Sequence, residues 1–171
     1  MDNPIENRVA KSGLITIDLE ALFTSEETVL LDIKPWLYEE LVLREKDFRA
    51  QVKTHDWTKY QDKHVAITCT ADAVVPLWAY MLISSVLTPF AKTIIFGNLN
   101  DLQVAVWRKK IDQLNIVDFT EKRVVIKGCS TINIPNDTYV YLTQKLVPVV
   151  QSLMFGEPCS TVPIYKKKKE K

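Results

Sequence analysis

Glycine, cysteine and histidine are all scarce in this chain, and each scarcity narrows what it can be. Four glycines in 171 residues leave no phosphate-cradling loop, no dinucleotide fingerprint and no nucleophile elbow, all of which need closely spaced glycines. The three cysteines are an odd number without close spacing. They cannot make a disulfide framework, they contain no Cys-x-x-Cys pair, and they point to a reducing cytoplasm. His55 and His64 are the two histidines, and neither has the helical i, i+4 partner of a familiar zinc pair.

Charge of one sign is missing too. Lys plus Arg is 22 against 21 for Asp plus Glu, a net charge of +1, so no global field draws nucleic acid or a membrane surface. The exception is the end, "YKKKKEK", a lysine-rich tail over 166–171 that is expected to be solvated and could touch an acidic partner. The N-terminus "MDNPIENRVAKSG" has no apolar core of a leader. The longest apolar stretch, "VVPLWAYMLISSVLTPFA", is broken by Pro76 and Pro89 and reads as a buried helix rather than a membrane span.

What is present is a regular alternation. "HVAITC" is a β-branched, buried strand, followed by an apolar helix from about Val74 to Phe90 with Asp72 as its candidate cap. "KTIIFG" is a second strand. A helix from about Asn100 to Leu114 carries Val104, Trp107, Ile111 and Leu114 on one face. "RVVIKGC" is a third strand, and a last helix is expected after "NIPND", running to Gly156 with a kink at Pro148. This β-α-β-α-β-α run from residue 63 predicts an α/β fold, three-layered with a mostly parallel sheet.

Residues 1–60 are expected to add strands, "LITIDLEAL" and "TVLLDI", as a hairpin or as edge additions, and a helix from about Pro35. The organisation expected is one domain over 1–165 before the lysine tail, and no internal repeat of domain size is evident.

Against this background the cysteines stand out. Cys129 and Cys159 each begin "CST", and Cys69 is followed by Thr70. A thiolate followed by a hydroxyl residue in a turn gains hydrogen-bond donors. Cys69 and Cys129 both follow strands, and in an open parallel sheet reactive groups gather at the carboxyl edge. Cys159 joins them only if the tail "GEPCSTVPIY" doubles back.

Three thiolates with Asp72 as a fourth ligand would suit zinc or an iron–sulfur cluster. The alternatives are a single nucleophilic thiol at Cys69, activated by the following helix end with Asp72 or His64 handling a proton, and inert cysteines in an interaction module. Asp18 and Asp32, at strand ends, could approach the same edge, although a turn or cap role is the simpler reading.

The segments "NRVAKSGLITIDLE", "HDWTKYQDK", "TCTADAVVPLWAYML", "VIKGCS" and "MFGEPCSTVPIYK" resemble an uncharacterised bacterial family, a domain of unknown function of nearly this length. Genes of that family are often found beside the sulfur-mobilisation system that assembles iron–sulfur clusters. The resemblance implies that Cys69, Cys129 and Cys159 hold a cluster, a metal or transferred sulfur, and that iron–sulfur assembly proteins are the partners.

Overall fold

The computed structural model describes residues 13–22, 25–128, 131–157 and 159–168. Along the chain the elements are β1 (Leu14–Ile17), β2 (Thr28–Asp32), α1 (Glu45–Thr54), β3 (His64–Thr68), α2 (Leu77–Leu87), β4 (Thr93–Phe96), α3 (Leu99–Asp112), β5 (Arg123–Ile126), α4 (Asn136–Leu146), β6 (Ser152–Glu157) and β7 (Ser160–Lys166). They fall into two compact units. A continuous unit takes residues 25–106, and a split unit takes the residues before it together with those from Trp107 onward.

In the continuous unit β2, β3 and β4 form a sheet in that order with both pairings parallel. β3 is buried from His64 to Ile67, as a central strand of β-branched residues should be. α2 buries Ala79, Ile83 and Leu87, and α1 buries Phe48 and Val52. These are i, i+4 spacings that put one stripe on the sheet. In the split unit the order is β1-β5-β6-β7, parallel except for the last pair. There α4 buries Thr138, Leu142 and Leu146, and Trp107 and Ile111 at the end of α3 join the same core. Arg108 holds Asp137 through two hydrogen bonds of 2.8 Å, tying α3 to the start of α4.

The α/β class stands as the alternation predicts, but the strands do not share one sheet. The third strand of the expected run, β5, pairs with β1 and β6. The N-terminal strands are edge additions to different sheets, not a hairpin. α2 starts at Leu77 with Pro76 at its cap, so Asp72 does not cap it. The last helix stops at Leu146 rather than running to Gly156. Pro148 lacks the N–H and fills the space that a continuing helix would need, and residues 152–157 instead add a parallel strand to β5. The C-terminal segment is likewise not a loose tail over its first part. It returns as β7 along β6, and Lys167 donates its N–H to the Gln151 carbonyl at 2.9 Å.

The structure also reveals a repeat where none was evident. The register His64↔Thr93 through Ile67↔Phe96 in one sheet is matched by Arg123↔Ser152 through Ile126↔Phe155 in the other, every number raised by 59. The same shift relates Val65 to Val124, Ile67 to Ile126, Pro76 to Pro135, Tyr80 to Tyr139, Leu87 to Leu146, Pro89 to Pro148, Phe96 to Phe155 and Gly97 to Gly156, without a gap. It relates turns as well: Lys92 N–H donates to the Lys63 carbonyl and Gln151 N–H to that of Lys122, both at 2.8 Å. β1 pairs with β5 as β2 pairs with β3, so Asp18 corresponds to Asp32.

Candidate functional site

Each unit ends its first strand with an aspartate, and each aspartate organises the carboxyl edge of its sheet. Asp32 Oδ1 accepts the N–H of Lys34 at 2.9 Å and that of Thr70 at 3.1 Å, while Oδ2 accepts the Thr70 hydroxyl at 2.5 Å. Burial pushes the Asp32 pKa up, but the Thr70 and Lys34 donors outweigh it and hold the carboxyl below its ordinary range. The result is a clamp across β2 and β3 on the residue next to Cys69. The turn role expected for Asp32 is present, and it also ties down the loop after β3.

Cys69 is partly buried and packs against the core of the continuous unit. The Lys34 pKa is raised, first by its hydrogen bond to Glu40 and then by the charge of that carboxylate. Asp72 is exposed in the loop leading to Pro76. His64, the other proposed partner of Cys69, is at the opposite end of β3, which is five residues long. At roughly 3.3 Å per residue the strand separates them by about 16 Å. His64 is buried at the amino edge and pairs with Glu26, so it cannot serve Cys69 as a base. His55 is half-buried among Trp36, Trp57 and Tyr60, with a ring nitrogen 3.1 Å from the Tyr60 hydroxyl. Burial lowers its pKa.

The split unit has the more elaborate edge. Lys127, directly after β5, places Nζ 2.8 Å from Asp18 Oδ2 and 3.8 Å from Glu20 Oε2. The Asp18 pKa is lowered chiefly by that Lys127 hydrogen bond. Glu20 Oε1 accepts the N–H of Thr131 at 2.6 Å and its hydroxyl at 2.5 Å, and these donors lower the Glu20 pKa. The two acids therefore hold Lys127 and Thr131, which stand two residues before and two residues after Cys129 in sequence. Cys129 itself lies outside the described residues.

On the neighbouring strand, Glu157 pairs with Ser160 to close the β6–β7 hairpin, and Cys159 is exposed in its turn. Gly156 has φ +124, and a Cβ there would fall 2.6 Å from the Ser160 carbonyl oxygen, so the turn admits only glycine. At Gly128, the last described residue before Cys129, a Cβ would stand 3.1 Å from the Phe155 ring and 3.2 Å from Gly156 Cα. The ends of β5 and β6 are thus in close contact. Glu157 Oε1 is buried and has no hydrogen-bond partner among the described residues, and the Glu157 carboxylate is one of the charges that raise the Lys127 pKa, after Asp18 and Glu20.

Both "CST" segments belong to the split unit, on the carboxyl side of adjacent parallel strands, whereas Cys69 and Asp72 belong to the continuous unit. The 59-residue shift places Gly128, not Cys129, at the counterpart of Cys69, so the thiols do not follow the repeat. Among the described residues, no three His, Cys, Asp or Glu side chains converge as a metal-binding group. Sequence reasoning missed Glu20, Lys127 and Glu157. The repeat would have drawn attention to them, because Lys127 stands where the continuous unit has Thr68.

Among the described residues no helix is long and apolar enough to cross a membrane. No curated protein and no solved structure matches this chain. The segments that suggested a family are spread over both units, and residues 3–167 match the family model described as a protein of unknown function, DUF2480; the chain belongs to that family.

Proposed function

We propose that this protein ligates a metal ion or an iron–sulfur cluster through thiolates, as an accessory factor to iron–sulfur assembly proteins. Cys129 and Cys159, both in the split unit, are the ligands of this reading. The observation that carries it is Glu157. A carboxylate oxygen buried without a hydrogen bond is expensive, and a cation or a metal-bound group beside the Cys159 turn would satisfy it.

The test is purification with and without oxygen, followed by metal analysis and a visible spectrum, for the parent chain and for Cys129→Ala, Cys159→Ala and Cys69→Ala. Metal or cluster lost on replacing Cys129 or Cys159 supports the reading. Colourless, metal-free protein under both conditions, with all thiols freely titratable, ends it.

A second reading makes Cys69 a single reactive thiol. It is favoured by the Asp32–Thr70 clamp on its loop. Alkylation of Cys69 much faster than of the other two thiols near neutral pH would select it.

A further inference from the structure

The thiol reading makes no use of the lysine-rich end of the chain, yet the fold gives part of that end a defined place. Arg123 on β5 stands opposite Ser152 on β6, and Ser152 stands opposite Lys166 on β7. Directly opposed residues share a sheet face, so one row across three strands reads Arg-Ser-Lys. Lys167 follows, anchored through its N–H to Gln151 and through Nζ to Glu121 Oε1 at 2.5 Å.

Beside this row is a hollow of ≈ 450 Å³, within the range of about 300–1,000 Å³ usual for small-ligand sites. Arg123, Lys166 and Lys167 line it together with Ser152, and Met154 and Pro163 supply apolar wall. Glu121 is a carboxylate that holds Lys167 beside the hollow.

We propose that this hollow binds a small phosphomonoester. The Arg123 guanidinium offers the planar fork that grips a phosphate through two hydrogen bonds, the lysines add charge, and the Ser152 hydroxyl is a further donor. Met154 and Pro163 receive the less polar body that carries the phosphate. The internal repeat sharpens the assignment. The counterpart of Arg123 is His64, which is buried against Glu26, and the sheet of the continuous unit ends at β4 with no strand corresponding to β7. The cationic row is therefore a property of the split unit alone.

Isothermal titration of the full chain with glycerol 3-phosphate, adenosine 5′-monophosphate and inorganic phosphate tests the proposal, with sedimentation on phosphatidylglycerol-containing vesicles as a separate arm. Soluble phosphomonoesters are expected to bind, more weakly as ionic strength rises, and Arg123→Gln and Lys166→Gln are each expected to weaken binding about tenfold. Urea unfolding shows that each variant is folded. If Arg123→Gln is not, Lys166→Gln, on an exposed edge strand, decides alone. Absence of binding at millimolar phosphomonoester, affinity unmoved in the folded variants, or binding to vesicles only would each overturn it.

Discussion

Asp62 and Glu121 are the same residue of the repeat. Both have left-handed backbone conformations, with φ of +60 and +56. Asp62 donates its N–H to the Phe90 carbonyl at 2.9 Å, and Glu121 donates its own to that of Val149 at 2.8 Å. A left-handed non-glycine residue costs about 1–2 kcal/mol, so one strained turn has been kept twice, with the same hydrogen bond offsetting it. The same comparison, position against position, supplies controls within a single chain.

Thr138 is one such position. Its side chain is fully buried and its hydroxyl has no hydrogen-bond partner among the described residues, while its counterpart on α2 is Ala79, also fully buried. Removing an unsatisfied buried hydroxyl gains roughly 1–3 kcal/mol, and alanine is the better helix former. The loss of one buried methyl takes back about 1 kcal/mol. Thr138→Ala is therefore expected to leave stability unchanged or raise it by about 1 kcal/mol in urea unfolding, and a clear loss would refute the account.

The Asp32 clamp makes a pH-dependent prediction. Its folded pKa lies below the unfolded value, so the stability it contributes is present above about pH 3.9 and is lost as pH falls through the folded value. Asp32→Asn should cost about 1 kcal/mol at pH 7, and the gap from the parent should close in more acidic solution. Paired denaturation curves at neutral and acid pH measure it. A gap independent of pH would show that the carboxylate charge does not matter.

Gly156→Ala should open the hairpin. The backbone at φ +124 and the 2.6 Å approach to a backbone oxygen make the strain about 2–3 kcal/mol, visible as a lower urea midpoint and faster proteolysis near Cys159. Gly97→Ala should cost less. Its backbone, at φ +146, strains an alanine as well, but the nearest atom that the Cβ would meet is Asp101 Oδ2, the far end of a side chain that can turn away at the expense of its 2.9 Å hydrogen bond from Asn98 N–H.

Glu157→Gln separates the thiol reading from a purely structural one. If Glu157 faces a bound metal or cluster, the substitution should lower its affinity by about ten- to a hundredfold. If the carboxylate is only an orphan, the variant should be at least as stable as the parent and bind no differently. Metal content after dialysis, together with thermal unfolding, reads both outcomes.

The helices and central strands were legible because their signals are local. The β-branched run at His64–Thr68 and the stripe of α3 need no partner to be recognised, whereas the helix expected from about Pro35 begins only at Glu45, after a short 3-10 turn at Lys34–Trp36. What escaped was pairing. β-α-β-α-β-α spells one sheet only if each strand joins its predecessor, and nothing in "RVVIK" tells that its neighbour is "LITI" rather than "TIIF". β6 was taken for helix because Val150 and Leu153 continue the helical stripe of Leu142 and Leu146, and the proline between them reads equally as a kink or a stop. The repeat was hidden by its chemistry. The helix cores match as Ala79 with Thr138 and Ile83 with Leu142, and the identities that remain are mostly prolines, aromatics and glycine at element ends. At the candidate site the cysteines stand out in the sequence, but Asp18 and Glu20, the acids that hold Lys127, follow β1, more than a hundred residues away.

That last separation has a consequence for how the protein is made. β1 emerges from the ribosome before any of the continuous unit, yet its parallel partner is β5, with Leu14 opposite Arg123. Residues 25–106 can collapse as soon as they are synthesised, while β1 must remain unpaired until β5, more than a hundred residues later, has followed, since a contact of such long range closes late. The Asp18–Lys127 edge is therefore among the last parts of the molecule to form. A chain halted shortly after Val106 would carry a finished unit behind an N-terminal strand that has nothing to pair with.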